Sequence, residues 1–258
     1  MSKNTKKKLA AVMFCKFDEY DKYVSNDKKI AAKILNDYDA IVNDKVNDFN
    51  GRIIKHINET IFAEFPSSTD AINCSLAIHY TFKKENSQNP DVYQINAKIG
   101  IHMGEVHEKD GDLFGDGVNL AARIQPISEK DGTVCTQSVY NAIRNDANIY
   151  LRDMGRISLK NIKEPERVFK VYEDENAYNS ETSKELTEKL IASGVELFDR
   201  KSDKDKVTSI AVLYIQNLGS VDDDFFCYGI TEDLIHDLSR AKRMRIPKIN
   251  EVARFRES

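Results

Sequence analysis

The chain has 258 residues, 41% hydrophobic and 31% charged, with a formal net charge of −4. That length and apolar content can bury a real core, and the interspersed acids and bases leave no electrostatic footprint for nucleic acid. The longest apolar run near the N-terminus, Leu9 to Cys15, is too short to span a bilayer and no small-residue cleavage site follows it, so neither a membrane segment nor a secretory leader is expected.

Residues 1–8, with Lys3, Lys6, Lys7 and Lys8, are expected to form a flexible, solvated tail. Leu9–Cys15 is a continuous apolar run suited to a strand buried on both faces. From Asp27 to Asn47, Ile30, Ile34, Ile41 and Val42, with Ala31 and Tyr38 between them, predict a helix with one buried stripe. Asn50-Gly51 marks a turn. The β-rich runs 52–57 and 60–65 then flank Asn58-Glu59 as a hairpin. Ser67 or Ser68 can cap the next helix, which carries Asp70 in its first turn and runs to about Phe82. Gln94–Met103 alternates, with Ile95, Ala97 and Ile99 on one side and Asn96 and Lys98 on the other, and Gly104 is expected to end that strand.

Gly111–Arg123 reads as a tight turn, a short glycine-bounded element and the start of a helix reaching about Ile127. Asn119 and Arg123 stand four apart, on one helical face. Spacing alone favours a surface helix with a capping turn, for which Asp116 is the expected cap. Strands follow at 132–136, 149–159 and 168–172, with helical turns at 138–143. The order predicts an α+β fold with a ferredoxin-like βαββαβ core and helices on one face of a sheet. Residues 174–206 are read as a charged linker or helix. Residues 207–258 form a partial α/β second domain: a strand from Thr208, a helix over 229–239 capped by Thr231, and a further strand near Arg245. This last stretch is small for a self-sufficient core and reads as the start of a longer domain.

Cys15, Cys74, Cys135 and Cys227 are widely spaced with no CxxC or CxxH pairing, which points to free thiols in a reducing, cytoplasmic setting rather than to zinc. The five histidines, His56, His79, His102, His107 and His236, show no ligand spacing and are read as structural or surface groups.

Leu-Ala-Ala-Val-Met-Phe (9–14), Gly-Arg-Ile-Ile-Lys-His-Ile (51–57), Phe-Ala-Glu-Phe-Pro (62–66), Ile-Gly-Ile-His-Met-Gly (99–104) and the 111–123 stretch, in this order, resemble the class III nucleotidyl cyclases, the adenylate/guanylate cyclase family. The resemblance places that domain at 9–173. Ser209-Ile-Ala-Val-Leu213 and Gly229–Ile235 resemble the start of a TolB-like region, which in bacterial signalling proteins often follows cyclase domains and precedes tetratricopeptide repeats.

The cyclase resemblance implies cyclisation of a nucleoside triphosphate, with the ribose 3′-oxygen attacking the α-phosphorus and pyrophosphate leaving. It also implies two divalent ions, Mg²⁺ or Mn²⁺, held by two aspartates, and sites that straddle a dimer interface. At those aspartate positions this chain has Lys16 and Glu59, and the accompanying glycines are replaced by Glu19 and Asn58. Lys16 is not a ligand while protonated. Glu59 remains an oxygen donor one methylene longer, and Asp18 is an alternative donor two residues beyond Lys16. Lys16 and Glu59 are expected to pair with each other.

The other half matches. Lys55 and Asp112 correspond to the adenine-reading pair, Asn119 to the ribose-orienting residue and Arg123 to the group that stabilises charge on the α-phosphoryl. Lys160, or Lys163 nearby, corresponds to the lysine for the terminal phosphates. The expected function is an adenylate cyclase-type domain in bacterial signalling with a degenerate metal site, weak or partner-dependent. It would bind ATP as a homodimer or as a heterodimer with a metal-competent cyclase domain. The alternative is a silent pseudo-cyclase serving as a nucleotide-binding or dimerisation module.

Overall fold

The computed structural model describes residues 5–88 and 93–198, and beyond them 208–209, 212, 215, 224–239 and 244–245. The chain divides into two compact units, 1–198 and 199–258. Unit 1 is built on one sheet. Its strands are β1 (Lys6–Phe17), β2 (Arg52–Ile57), β3 (Thr60–Phe65), β4 (Ala97–Lys109), β5 (Asp112–Phe114), β6 (Gly132–Thr136), β7 (Tyr150–Ile157), β8 (Glu166–Tyr172) and β9 (Leu197–Phe198). They lie in the order β2-β3-β1-β4-β6-β8-β7-β9, with β5 folded back on β4. The first four follow the expected ferredoxin-like arrangement: β1 is antiparallel to both β3 and β4, and β2 pairs with β3 at the edge. The helices are α1 (Tyr20–Asn26), α2 (Lys28–Asp48), α3 (Ser68–Gln88), α4 (Asp116–Ile124), α5 (Gln137–Ile143), α6 (Glu175–Ser180) and α7 (Ser183–Ala192).

Strand β1 explains why the sheet has two unlike faces. Its odd-numbered residues Ala11, Met13, Cys15 and Phe17 enter the main core with Ile34, Tyr38 and Val42 of α2, Ile72, Cys74 and Ile78 of α3, and Val139 of α5. Its even-numbered residues Ala10, Val12 and Phe14 face the opposite way, against Phe62, Val106, Leu113 and Ala121 of α4. A strand buried on both faces has no room for alternation, so it reads as the continuous apolar run seen at 9–15. Tyr38 anchors α2 to this strand, its hydroxyl donating 2.7 Å to the Cys15 carbonyl. Cys15, Cys74 and Cys135 are buried free thiols, and burial pushes the Cys15 thiol up to about 12.

Several expectations are corrected. Lys6, Lys7 and Lys8 are not a tail: they open β1, paired with Glu108, His107 and Val106 of β4. Lys7 binds Glu105 at 2.6 Å, and Lys8 binds Glu64 at 2.8 Å and Glu108 at 3.1 Å. Lys3 lies outside the described residues. Gly104 does not end β4, because the β1 lysines supply a partner as far as Glu108. Ile30 is exposed, and the buried stripe of α2 is Ala31, Ile34, Tyr38, Val42 and Val46. Ser67 is the cap of α3, accepting from the Asp70 amide at 3.0 Å. Asp116 is the first residue of α4 rather than its cap, which is Gly115.

Helices occupy both faces, not one. Alongside α4, α7 covers the far end of the second face. There Leu186 and Leu190 join one apolar cluster with Ile124, Val134, Met154, Ile157 and Val168. The stretch expected to be a charged linker or helix does hold helices α6 and α7, and it is folded into unit 1 as far as Phe198. A capping box at Thr182 and Glu185 starts α7, and β9 pairs with β7. Glu181, just before it, is buried. Burial pushes its carboxyl up, but hydrogen bonds from Lys170, Lys189 and Tyr172 outweigh that and hold it at about 2.

In unit 2, Thr208–Ser209 pairs in parallel with Met244–Arg245, and a helix runs Asp224–Ser239. Thr231 sits inside that helix rather than at its cap, its hydroxyl donating 2.7 Å to the Cys227 carbonyl. Most of 207–223 and 246–258, including most of the stretch likened to a TolB-like region at 209–213, lies outside the described residues. Among the described residues no helix is long and apolar enough to cross a membrane.

Two substitutions test this packing. Leu190→Ala should cost about 2–5 kcal/mol in urea unfolding, as expected for a leucine emptied from a buried cluster. Gly100→Ala should cost about 1–3 kcal/mol, because a Cβ there would lie 2.6 Å from the Gln125 backbone, which follows α4 directly.

Candidate active site

The second face of the sheet carries the residues singled out by spacing. Helix α4 lies close on β4 because glycines stand where it crosses. Gly100 passes under Gln125, and a Cβ on Gly117 would lie 3.1 Å from the Glu105 carbonyl and 3.3 Å from the His102 ring. Ala121 is buried against β1, with Val118 and Ala122 beside it. With that stripe pinned, Asn119 and Arg123 face outward on one side of the helix. Both are exposed, and neither side chain has a hydrogen bond or ion pair among the described residues.

Lys55 reaches this face through an irregularity. Ile53, two residues earlier, packs into the main core, so regular alternation would send Lys55 the same way. A register shift between Ile53 and Lys55 sets Lys55 opposite Phe62 instead. Its ammonium lies 6.0 Å from the Phe62 ring centre, and that ring stacks on Phe14 at 4.6 Å. It binds both oxygens of Asp112, at 2.8 and 2.6 Å. Asp112 is placed by the β4–β5 turn and also accepts from the Leu113 amide at 2.8 Å. The Lys55 ammonium holds the Asp112 carboxyl below its ordinary range. An ammonium and a carboxylate side by side can donate to one edge atom of a purine and accept from its neighbour.

The end of β1 carries a second group. Lys16 lies on the Phe14 face and binds Glu59 of the β2–β3 turn at 3.1 Å. The neighbouring Asn58 takes up a left-handed backbone (φ 52°), which asparagine tolerates. Directly across β1 and β4, Lys16 is paired in register with Lys98, and Lys98 in turn binds Asp18 at 3.6 Å. Every carboxylate proposed as a metal donor is thus opposed by an ammonium. Among the described residues no group of three or more His, Cys, Asp or Glu side chains could hold a metal ion. This donor set does not fit two divalent ions. Lys160 is exposed in the β7–β8 loop, as is Lys163. Because β7 runs in the same sense as β4, that loop leaves the sheet at the end away from Lys16. The structure therefore brings Lys55 together with Asp112 and Lys16 with Glu59, and leaves Lys160 apart from Lys16 and Glu59.

One neighbour of Lys16 was missed by sequence reasoning. Lys98 was visible only as the polar side of an alternating strand; its pairing with Lys16 needs the strand register. His102, expected to be structural or at the surface, is structural: it lies beneath Gly117 of α4, its Nδ1 2.9 Å from the Thr136 hydroxyl. Burial holds the His102 imidazole down to about 4, so it is neutral in the folded chain. A base depressed in the folded state contributes stability that is complete above the unfolded value near 6.5 and is lost as pH falls toward 4. Thermal stability should therefore decline from pH 6.5 to pH 4, and His102→Gln should flatten that slope in melts followed by circular dichroism.

The sequence profile of the family described as "Adenylate and Guanylate cyclase catalytic domain" matches residues 3–173. A putative adenylate cyclase 3 of Rhizobium meliloti (strain 1021) is 27% identical over 237 residues, covering 91% of this chain and 38% of that protein. An adenylate cyclase of Anabaena cylindrica is 26% identical over 181 residues, covering 63% of this chain and 36% of that protein. The chain thus spans less than two fifths of either relative. Among solved structures, the adenylate/guanylate cyclase/hydrolase from Silicibacter pomeroyi superposes with a TM-score of 0.59 at 26% identity, covering 65% of this chain and 98% of that one. The profile match over most of unit 1, on a sheet that presents α4 as described, establishes that this chain belongs to the adenylate and guanylate cyclase catalytic-domain family.

Proposed function

We propose that unit 1 supplies the adenine-reading and charge-stabilising half of an ATP-cyclising site, completed across a dimer interface by a domain with carboxylates where this chain has Lys16 and Glu59. The observation that carries this is the Lys55–Asp112 pair on the face that also presents Asn119 and Arg123. In this reading Lys55 donates to purine N1 and Asp112 accepts from the 6-amino group. Guanine presents a donor and an acceptor the other way round at these two atoms, so the pair selects adenine. Asn119 orients the ribose. Its 3′-oxygen loses its proton and bonds to the α-phosphorus as the bond to pyrophosphate breaks, giving cyclic AMP. Arg123 meets the charge that builds on the α-phosphoryl, and Lys160 takes the terminal phosphates. The resemblance of 209–213 and 229–235 to a TolB-like region supports a further signalling module downstream.

A second reading, a catalytically silent nucleotide-binding or dimerisation module, draws on the Lys16–Glu59 pair. With Lys16 in place of an acidic ligand, a homodimer should turn over ATP roughly 10³-fold or more below a metal-competent site. Complementation separates the readings. The variant Lys16→Asp/Glu59→Asp should make cyclic AMP from ATP with Mn²⁺. Adding Arg123→Ala to it should cost about 10²–10³-fold. Mixing that triple variant with the unmodified chain should restore product, because the unmodified chain contributes Arg123. If the double variant is active but the mixture stays as silent as its parts, the shared-site reading is wrong.

A further inference from the structure

Lys16 and Lys98 form an arrangement that sheets ordinarily avoid. They are directly opposed across antiparallel strands, where Cβ atoms stand about 5 Å apart and like charges destabilise the pair. Both point to the face that carries α4, and both stay accessible, with side chains 43% and 29% exposed. Their counter-ions are Glu59 at 3.1 Å and Asp18 at 3.6 Å, each contacting one ammonium. The Lys98 backbone is fixed by the Gln125 side chain, which donates 3.1 Å to its carbonyl, so the lysine pair and α4 are held on one frame.

Two neighbouring ammoniums, each balanced by one carboxylate, have the opposite preference to an unpartnered carboxylate pair. Carboxylates gather divalent cations and through them accept phosphate. Ammoniums repel divalent cations and accept phosphate oxygens directly, through charge-assisted hydrogen bonds. A magnesium ion halves the charge of a fully ionised triphosphate, so it weakens rather than strengthens the attraction to such a pair. We propose that Lys16 and Lys98 make this a metal-independent polyphosphate site, which takes a nucleoside triphosphate in its magnesium-free form. The proposal rests on the reading of the α4 face as a nucleotide site shared across a dimer, in which Lys16 and Lys98 of one protomer meet the triphosphate whose base is read on the other. It concerns binding alone: a chain that holds its triphosphate this way is loaded with nucleotide without being able to cyclise it unaided.

The test is titration calorimetry of ATP into the whole chain, in excess EDTA and again in excess Mg²⁺. Binding in EDTA should be at least as tight as in Mg²⁺. It should weaken about tenfold or more in Lys16→Gln and in Lys98→Gln, the loss expected for a hydrogen bond to a charged group. Folding of each variant is checked by circular dichroism. Lys16→Asp/Glu59→Asp should reverse the preference, binding ATP only with Mg²⁺. ATP binding by the unmodified chain that requires Mg²⁺, or binding in EDTA that both glutamine variants retain, overturns the proposal. Lys55→Ala separates this from the underlying reading. If it abolishes binding in both buffers, the nucleotide sits at the base-reading pair whichever way the metal dependence falls. If the unmodified chain binds no ATP in either buffer, the nucleotide-site reading itself is wrong.

Discussion

The two-sided burial of β1 is the constraint on which unit 1 depends. One strand, paired with β4 along its length and with β3 from Ala11 to Lys16, gives Met13, Cys15 and Phe17 to the helical core and Val12 and Phe14 to the face under α4. Each side needs the other. The α2–α3 layer fixes the strand, and the strand gives α4 a flat, apolar bed. The alternation that buries Phe14 then carries Lys16 onto the same face at the strand's open end. The chemistry at position 16 is thus presented by packing that is indifferent to whether the residue is acidic or basic.

Charge placement follows the same logic. Across β2, β3, β1 and the end of β4, Arg52, Glu64, Lys8 and Glu108 form a closed network of opposite charges. These exposed and half-buried pairs add little stability individually but set strand register. At the other end of β1 the pairs Lys16–Glu59 and Lys98–Asp18 occupy the ground where relatives of this family are expected to bind metal. Lys55–Asp112 differs in that both side chains are about half exposed and the Lys55 ammonium lies 6.0 Å from the Phe62 ring centre.

The segment beyond residue 173 extends this frame. Helix α7 belongs to the apolar cluster that also holds Ile124 of α4, so the helix presenting Asn119 and Arg123 shares a core with the connection to unit 2. Glu181, buried among Lys170, Lys189 and Tyr172, fastens that connection to β8. The family match ends at residue 173, and a core common to both segments is what allows an addition after it to become part of the domain.

Much of this was legible in the sequence because the relevant physics is local. The apolar run at 9–15, the β-rich pair around Asn58-Glu59, the i, i+4 spacing of Asn119 and Arg123, and the order of elements each follow from residue type and period. So did the pairing of Lys16 with Glu59, opposite charges at two positions that the family resemblance brings together. What the sequence left open depended on register and partners. Lys6–Lys8 read as a tail because their glutamate partners lie on β3 and β4, far along the chain. The charged look of 174–206 allowed a linker or a helix but hid how α7 packs, because only two leucines bury and their neighbours come from four other elements. Lys98 gained meaning only once β1 and β4 were aligned, and Lys55 reached the α4 face only through a bulge that no local pattern announces. Sequence by itself determined which side chains exist at which spacing; tertiary structure decided which of them share a face, because the face a strand residue occupies is set by the strand beside it.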